Sequence, residues 1–283
     1  ASEYQGQLDG LTAEGLLNCI ERYEDIQNVA GRVMSFAGLS YYQNTSDANR
    51  SKFMADMQSK ITDFTTPLVF FSLEINNIDD EHIQNLLNSN HKLSRYKPII
   101  DNLRKMKPHQ LSDELEQFLH DQSVVGTAAW NRLFDETMAS LKFNVDDELL
   151  SLEATLNLLS DKNRETREKG TRALIKVFGE NISLFSRITN TLAKEKEVED
   201  RWRKMPTPQF SRHLANQVEP EVVEALRNAV VTAYPKLSHR YYALKAKWMN
   251  LDSLEVWDRN APLDSDNSSD IQWEDAKKIV LDA

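Results

Sequence analysis

Catalysis needs nucleophiles, acid–base groups or metal ligands at spacings a fold can bring together. In this chain the histidines are the first place to look. Glu116 and His120 stand four residues apart, on one face of any helix that carries them, and Glu81 directly precedes His82. Such pairs are compatible with two ligands of a zinc site, since zinc accepts imidazole nitrogen and carboxylate oxygen. No third ligand follows at a recognisable spacing, and acidic helices bring Glu near His by chance, so both pairs read as solvated helix surface. His91, His109, His213 and His239 are scattered and read as caps or surface groups. Cys19 lies on an apolar helical stripe with no catalytic motif beside it, which makes it a small buried hydrophobe rather than a nucleophile. The sequence contains no G-x-S-x-G, no P-loop, no G-x-G-x-x-G and no H-E-x-x-H. No catalytic residue and no metal ligand is therefore assigned, and the substrate-binding residues are unknown at this level.

Composition narrows the classes that remain. A chain of 283 residues can hold one large or two modest domains with an ample core. Hydrophobic content of 40% and charged content of 28% belong to an ordinary soluble protein. Eight glycines are few for this length and favour helices over turn-rich β architecture. A net charge of −10 argues against nucleic acid, whose binding needs a concentrated cationic surface. The single Cys19 cannot form an internal disulfide. No apolar run approaches the roughly 20 residues of a membrane span, so no membrane partner is expected. The chain opens at Ala1, so any native N-terminal segment, a signal included, is expected to have been removed.

The elements that would position any site are mostly helices. From Thr12 to Tyr42, Leu16, Leu17, Ile20, Tyr23, Ile26, Ala30, Val33, Met34 and Ala37 recur at three and four, with close helix approach one reason for Gly31 and Gly38. Thr45 or Ser46 is expected to cap a second helix that continues past Pro67 into Leu68–Glu74. Asp79-Asp80 opens a short helix, and another starts near Ser94 or Pro98. Ser112 heads a helix to about Ser140, interrupted at Gly126, with Asp113, Glu114 and Glu116 at its positive end. Leu141 to Leu150 reads as a small β-hairpin. From Asn163 the longest helix is expected, bending or splitting at Gly179–Asn181, its opening turns solvated by Arg164, Glu165, Arg167, Glu168 and Lys169. Pro208, Pro220 and Pro235 each mark a helix start. Leu254 to Trp257 alternates like a short strand, Asp264–Asp270 is a polar linker, and Trp273 begins a last helix.

Several short segments carry a resemblance. They are Phe70, Phe71, Leu73 and Glu74; Lys107-Pro108-His109-x-Leu111-Ser112; Asp161, Arg164, Arg167 and Ala173; Pro235, Leu237, Arg240, Tyr241 and Tyr242; and the Leu-x-Val-Trp-Asp-Arg-Asn-Ala-Pro-Leu run from Leu254 to Leu263. Together they resemble the oligoendopeptidase F family of thimet-oligopeptidase-like zinc metallopeptidases, from roughly Glu21 onward. The resemblance implies a cytoplasmic parent enzyme that uses zinc to hydrolyse oligopeptides in a deep cleft with helical walls. In that family the strand leads into a catalytic half that carries H-E-x-x-H, so this chain is expected to be an N-terminal portion, inactive alone and binding no zinc. The partner strands of Leu254–Arg259 are then expected in the catalytic half.

The expected fold is all-α, the multi-helical N-terminal lobe of a zinc oligopeptidase, with a small β-hairpin and one C-terminal strand. Its divisions are 1–143, an N-terminal helical region; 144–263, a long-helix region forming a cleft wall; and 264–283, a linker and the start of the catalytic domain. Tyr234, Arg240, Tyr241 and Tyr242 read first as core, and as peptide-facing groups in the parent second. A complete, non-catalytic all-helical peptide- or protein-binding module is the competing reading.

Overall fold

Thr12 and Asp47 set the first two helices. The Thr12 hydroxyl accepts the Gly15 amide at 3.2 Å, and Asp47 accepts those of Asn49 and Arg50, each satisfying amides a helix start leaves open. The cap of the second helix is therefore Asp47, not Thr45 or Ser46. The computed structural model describes residues 3–263 and 271–282. In chain order the helices are α1 (Ala13–Gln43), α2 (Ala48–Thr65), α3 (Phe70–Asn77), α4 (Asp80–Ser89), α5 (His91–Ser94), α6 (Lys97–Arg104), α7 (Asp113–Gln122) and α8 (Thr127–Ser140). Strands β1 (Phe143–Val145) and β2 (Glu148–Leu150) follow, then α9 (Leu152–Leu158), α10 (Arg164–Glu180), α11 (Ile182–Trp202), α12 (Phe210–Ala215), α13 (Pro220–Ala233), α14 (Ser238–Trp248) and α15 (Trp273–Leu281). The class is all-α, with one small antiparallel hairpin in the register Phe143↔Leu150 and Val145↔Glu148.

The chain forms two compact units. One comprises 1–140 and 181–229, the other 141–180 and 230–283. In the first, Leu8, Leu16, Ile20, Phe70, Phe71, Ile75, Ile83 and Leu93 build one apolar core, with Tyr23 stacked on Phe71 at 4.1 Å. Glu74 faces the start of the chain and accepts the amides of Gly6 and Leu8 at 2.6 and 3.2 Å. Pro67 lies in a 3-10 turn, Thr66–Leu68, that separates α2 from α3, so the expected continuous helix is broken there. The longest helix is α1, 31 residues, rather than the run from Asn163. That run splits at Asn181, and its two halves belong to different units. Gly31 and Gly38 do not mark a close helix approach: a methyl group at either would meet open space or the edge of Tyr42.

In the second unit, Phe143, Ala173 and Leu174 form the core, and α9 packs on α10 so closely that a methyl at Gly170 would lie 3.1 Å from Leu158 Cβ. The expected C-terminal strand is absent from the described residues. Val256–Asp258 is instead a 3-10 turn closed by a capping box, in which Asp258 reaches back to the Glu255 amide at 3.1 Å. Asp258 has no solvent exposure, and its carboxylate receives Nε and Nη2 of Arg164 at 3.0 and 2.9 Å and Nη2 of Arg167 at 3.0 Å. Arg167 is thus buried, 1% exposed, and does not solvate the helix start as its sequence position suggests. Its Nε donates to the carbonyl of Trp257 and its Nη1 to those of Asp161 and Lys162. Arg164 and Arg172 lie over the Trp257 ring, and Lys245 donates to the carbonyls of Arg259 and Ala261. These bonds hold the segment within the unit as a turn rather than a strand, and Trp257 Nε1 is its one buried side-chain group without a hydrogen-bond partner among the described residues. The Asp264–Asp270 linker lies outside the described residues.

Burial pushes the Asp258 carboxyl up, but hydrogen bonds from Arg164, the Glu255 amide and Arg167 outweigh it and hold it below its ordinary 3.8. A depressed folded value means that the pairing stabilises the fold above pH 3.8 and loses this contribution as the pH falls through the folded value. Asp258→Asn leaves the buried Arg167 guanidinium without its counter-charge and is expected to cost about 3 kcal/mol at neutral pH. Hydrogen exchange at the α10 amides checks this: exchange should be faster in the variant at pH 7, with the gap closing under acid.

Candidate functional site

A cleft of about 1630 Å³ opens inside the first unit. One side is formed by α1, the end of α2 and the turn that leads into α3, through Tyr23, Ile61, Leu68 and Val69. A second is α7 and the corner leading to α8, through Leu115, Phe118, Leu119 and Trp130. The third is α11, which presents Arg187, Asn190, Lys194, Val198 and Trp202 at helical spacing. The corner exists because α7 ends at Gln122 and α8 begins at Thr127, with Gly126 between them. A methyl there would lie 2.7 Å from Glu195 Oε1, a flexible side-chain end that would have to move aside, and 3.3 Å from the Gln122 carbonyl oxygen. Phe118, Val125 and Trp202 remain exposed along the walls.

Glu116 and His120 both line this cleft, but Glu116 is already taken up by an ion pair. Glu116 is held end-on by Arg203, Nη1 at 2.6 Å and Nη2 at 2.9 Å, and also accepts the Leu111 amide at 2.9 Å. His120 Nδ1 meets the Thr66 hydroxyl at 2.8 Å. His82 Nε2 lies 3.0 Å from the Asp9 carbonyl, while Glu81 sits in the first turn of α4. His109 Nδ1 lies 2.9 Å from the Arg203 carbonyl, with its ring edge-on to Phe210. His91 starts α5, His213 lies on α12, and His239 on α14 has its ring 6.1 Å from that of Tyr234. Among the described residues no group of three or more His, Cys, Asp or Glu could hold a metal ion, so the chain as described does not fit a zinc site. Cys19 is buried, and burial, with Glu74 nearby, pushes its thiol up to about 11, which leaves it unreactive. Tyr234, Tyr241 and Tyr242 are exposed in the second unit and do not form the core expected of them.

The polar residues that α11 brings to the cleft are not distinguished in the sequence, for a definite reason. Phe185, Ile188 and Leu192 repeat as an apolar stripe of α11 that Val198 and Trp202 extend, whereas Arg187, Asn190 and Lys194 look in sequence like ordinary solvated residues. Their one signal in sequence is that Arg187, Lys194 and Val198 follow one another at seven and then four residues, and the apolar stripe already includes Val198.

The comparisons with known proteins agree with one another. The family model described as oligopeptidase F matches residues 74–143. Oligopeptidase PepF of Bacillus subtilis is 24% identical over 286 residues, covering 99% of this chain and 42% of that protein. Group B oligopeptidase PepB of Streptococcus agalactiae is 24% identical over 258 residues, covering 89% of this chain and 43% of the relative. Among solved structures, oligoendopeptidase-F from Enterococcus faecium superposes with a TM-score of 0.80 at 23% identity, over 92% of this chain and 52% of that one. A putative oligoendopeptidase F from Bacillus anthracis gives 0.74 at 17% identity, over 95% and 48%. The fold is that of these solved structures, and along nearly its whole length the chain is similar to oligopeptidase F proteins. It spans less than half the length of the curated relatives it matches.

Burial opposes ionisation of Glu116, yet the Arg203 hydrogen bonds and the Leu111 amide prevail and lower it from its ordinary 4.5. The pairing therefore stabilises the first unit above pH 4.5 and weakens as the pH falls through the folded value. Glu116→Gln is expected to cost about 2 kcal/mol at pH 7. Urea unfolding followed by tryptophan fluorescence at pH 7 and pH 3 checks both the loss and its disappearance in acid.

Proposed function

We propose that this chain is the N-terminal portion of a zinc-dependent, cytoplasmic endopeptidase that hydrolyses oligopeptides, and that the chain alone is inactive. The observation that carries the reading is the match of 99% of the chain to 42% of Oligopeptidase PepF, with no H-E-x-x-H among its 283 residues. The metal would polarise the scissile carbonyl and activate water, chemistry assigned to residues outside this sequence. The role of this chain is to bind and to orient. Its first unit supplies a cleft with apolar walls, of the kind that takes an extended peptide but excludes a folded protein. The division into 1–143, 144–263 and 264–283 is proposed as the functional order along the chain: helical region, cleft wall, and entry to the catalytic part. One observation favours a second reading, a non-catalytic peptide-binding module: the cleft is built entirely from residues of the first unit.

The test compares this chain with the polypeptide that continues it. With a quenched oligopeptide as substrate and metal content measured in parallel, the longer polypeptide should cleave in a chelator-sensitive way and spare a stable folded protein. The 283-residue chain should neither cleave nor retain stoichiometric zinc. Chelator-sensitive cleavage by the pure chain would overturn the assignment, and a continuing sequence without H-E-x-x-H would favour the module.

A further inference from the structure

Helix α11 turns two oppositely charged side chains into the cleft of the first unit without partners for either. Glu195 lies half-buried against Gly126 at the α7–α8 corner and makes no ion pair or side-chain hydrogen bond with any described residue. Arg187, eight residues earlier on the same helix, is equally without a partner among the described residues. Their neighbours differ: Lys194 pairs with Glu197, and Arg203 with Glu116 and Glu199. Eight residues of α-helix place the two about 12 Å apart along the axis. Trp130, Leu119 and Val198 line the same cleft as apolar surface.

We propose that this cleft binds an oligopeptide of about four residues by both of its free ends, at about 3.3 Å per extended residue. The ammonium terminus pairs with Glu195, the terminal carboxylate with Arg187, and an apolar side chain between them packs on Trp130. The charge pattern selects this occupant. A nucleotide offers anionic groups alone and a fatty acid a single charged end, so either matches only one of the half-buried Glu195 and the solvent-exposed Arg187. Arg187 suits a carboxylate because its planar fork can donate two parallel hydrogen bonds. The proposal rests on the oligopeptide reading above and deepens it, assigning a length and a recognition of termini.

Calorimetric titration of the 283-residue chain with a tetrapeptide carrying two central leucines tests it. Three forms are compared: both termini free, the N-terminus acetylated, and the C-terminus amidated. Each cap should weaken binding about fivefold. In Glu195→Gln the acetyl penalty should vanish while the amide penalty persists, and in Arg187→Gln the reverse. Equal affinity of all three forms for the unaltered chain, or no binding of the free peptide, overturns the proposal without depending on the folding of any variant. Terminus-dependent binding in a protein whose longer form cleaves no peptide leaves the inference standing and removes the peptidase reading. Cleavage by the longer form with no terminus dependence here does the opposite.

Discussion

A carboxylate removed completely from water needs compensation from every side, and in the second unit that requirement falls on Asp258. It takes three N–H groups from Arg164 and Arg167 and a fourth from the Glu255 amide. The constraint propagates outward. Arg167 can be buried only because its fork also reaches three backbone carbonyls, at Trp257, Asp161 and Lys162, a geometry no lysine could reproduce. Those carbonyls fix the loop before α10 and the turn at 256–258 relative to one another. Lys245 then secures the next carbonyls, at Arg259 and Ala261, to α14. Hydrophobic burial in this unit is modest, centred on Phe143, Ala173 and Leu174, so ionic and hydrogen-bonded contacts carry an unusual share of its specificity.

The first unit repeats the device at its cleft. Arg203, at the end of α11, grips Glu116 on α7 and takes Glu199 from its own helix, while its carbonyl meets His109. Helix α11 is the wall that carries the unpaired charges, so this latch sets where those charges stand. Asn76 adds a link from α3 to Gln110 in the same turn. The short segments through which the sequence resembles oligoendopeptidase F therefore hold structural latches: Glu74 on the start of the chain, His109 on α11, and Arg164 and Arg167 on Asp258.

Much of this architecture could be read from the sequence. Helical periodicity marks α1, the acidic or capping residues Asp79-Asp80 and Ser112 mark the starts of α4 and α7, and the hairpin falls within Leu141–Leu150 as expected. The misreadings share one cause: tertiary partners override local pattern. Leu254 to Trp257 alternates like a strand, but Asp258 is drawn inward by two arginines more than 90 positions upstream and closes a 3-10 turn instead. Arg167 looks like a surface residue because a window of sequence cannot show that Asp258 awaits it. The cleft was less legible than the fold. Glu116 and His120 were noticed as a pair, yet their partners Arg203 and Thr66 lie far away in sequence and give them separate duties.

The order in which the first unit's parts are strung along the chain has a consequence for its synthesis. Helices α1 to α8 emerge from the ribosome before α11, because the segment 141–180 intervenes and belongs to the other unit. Glu116 and Arg203 are 87 positions apart, so at about 5–20 residues per second the carboxylate waits on the order of ten seconds for its guanidinium. During that interval the side of the nascent bundle that α11 will cover stands open, with Leu115, Phe118 and Trp130 on it. A growing chain with such a face is a natural client for chaperones that shield apolar surface, and its yield in a cell should depend on translation speed through 141–203 as much as on the stability of the finished fold.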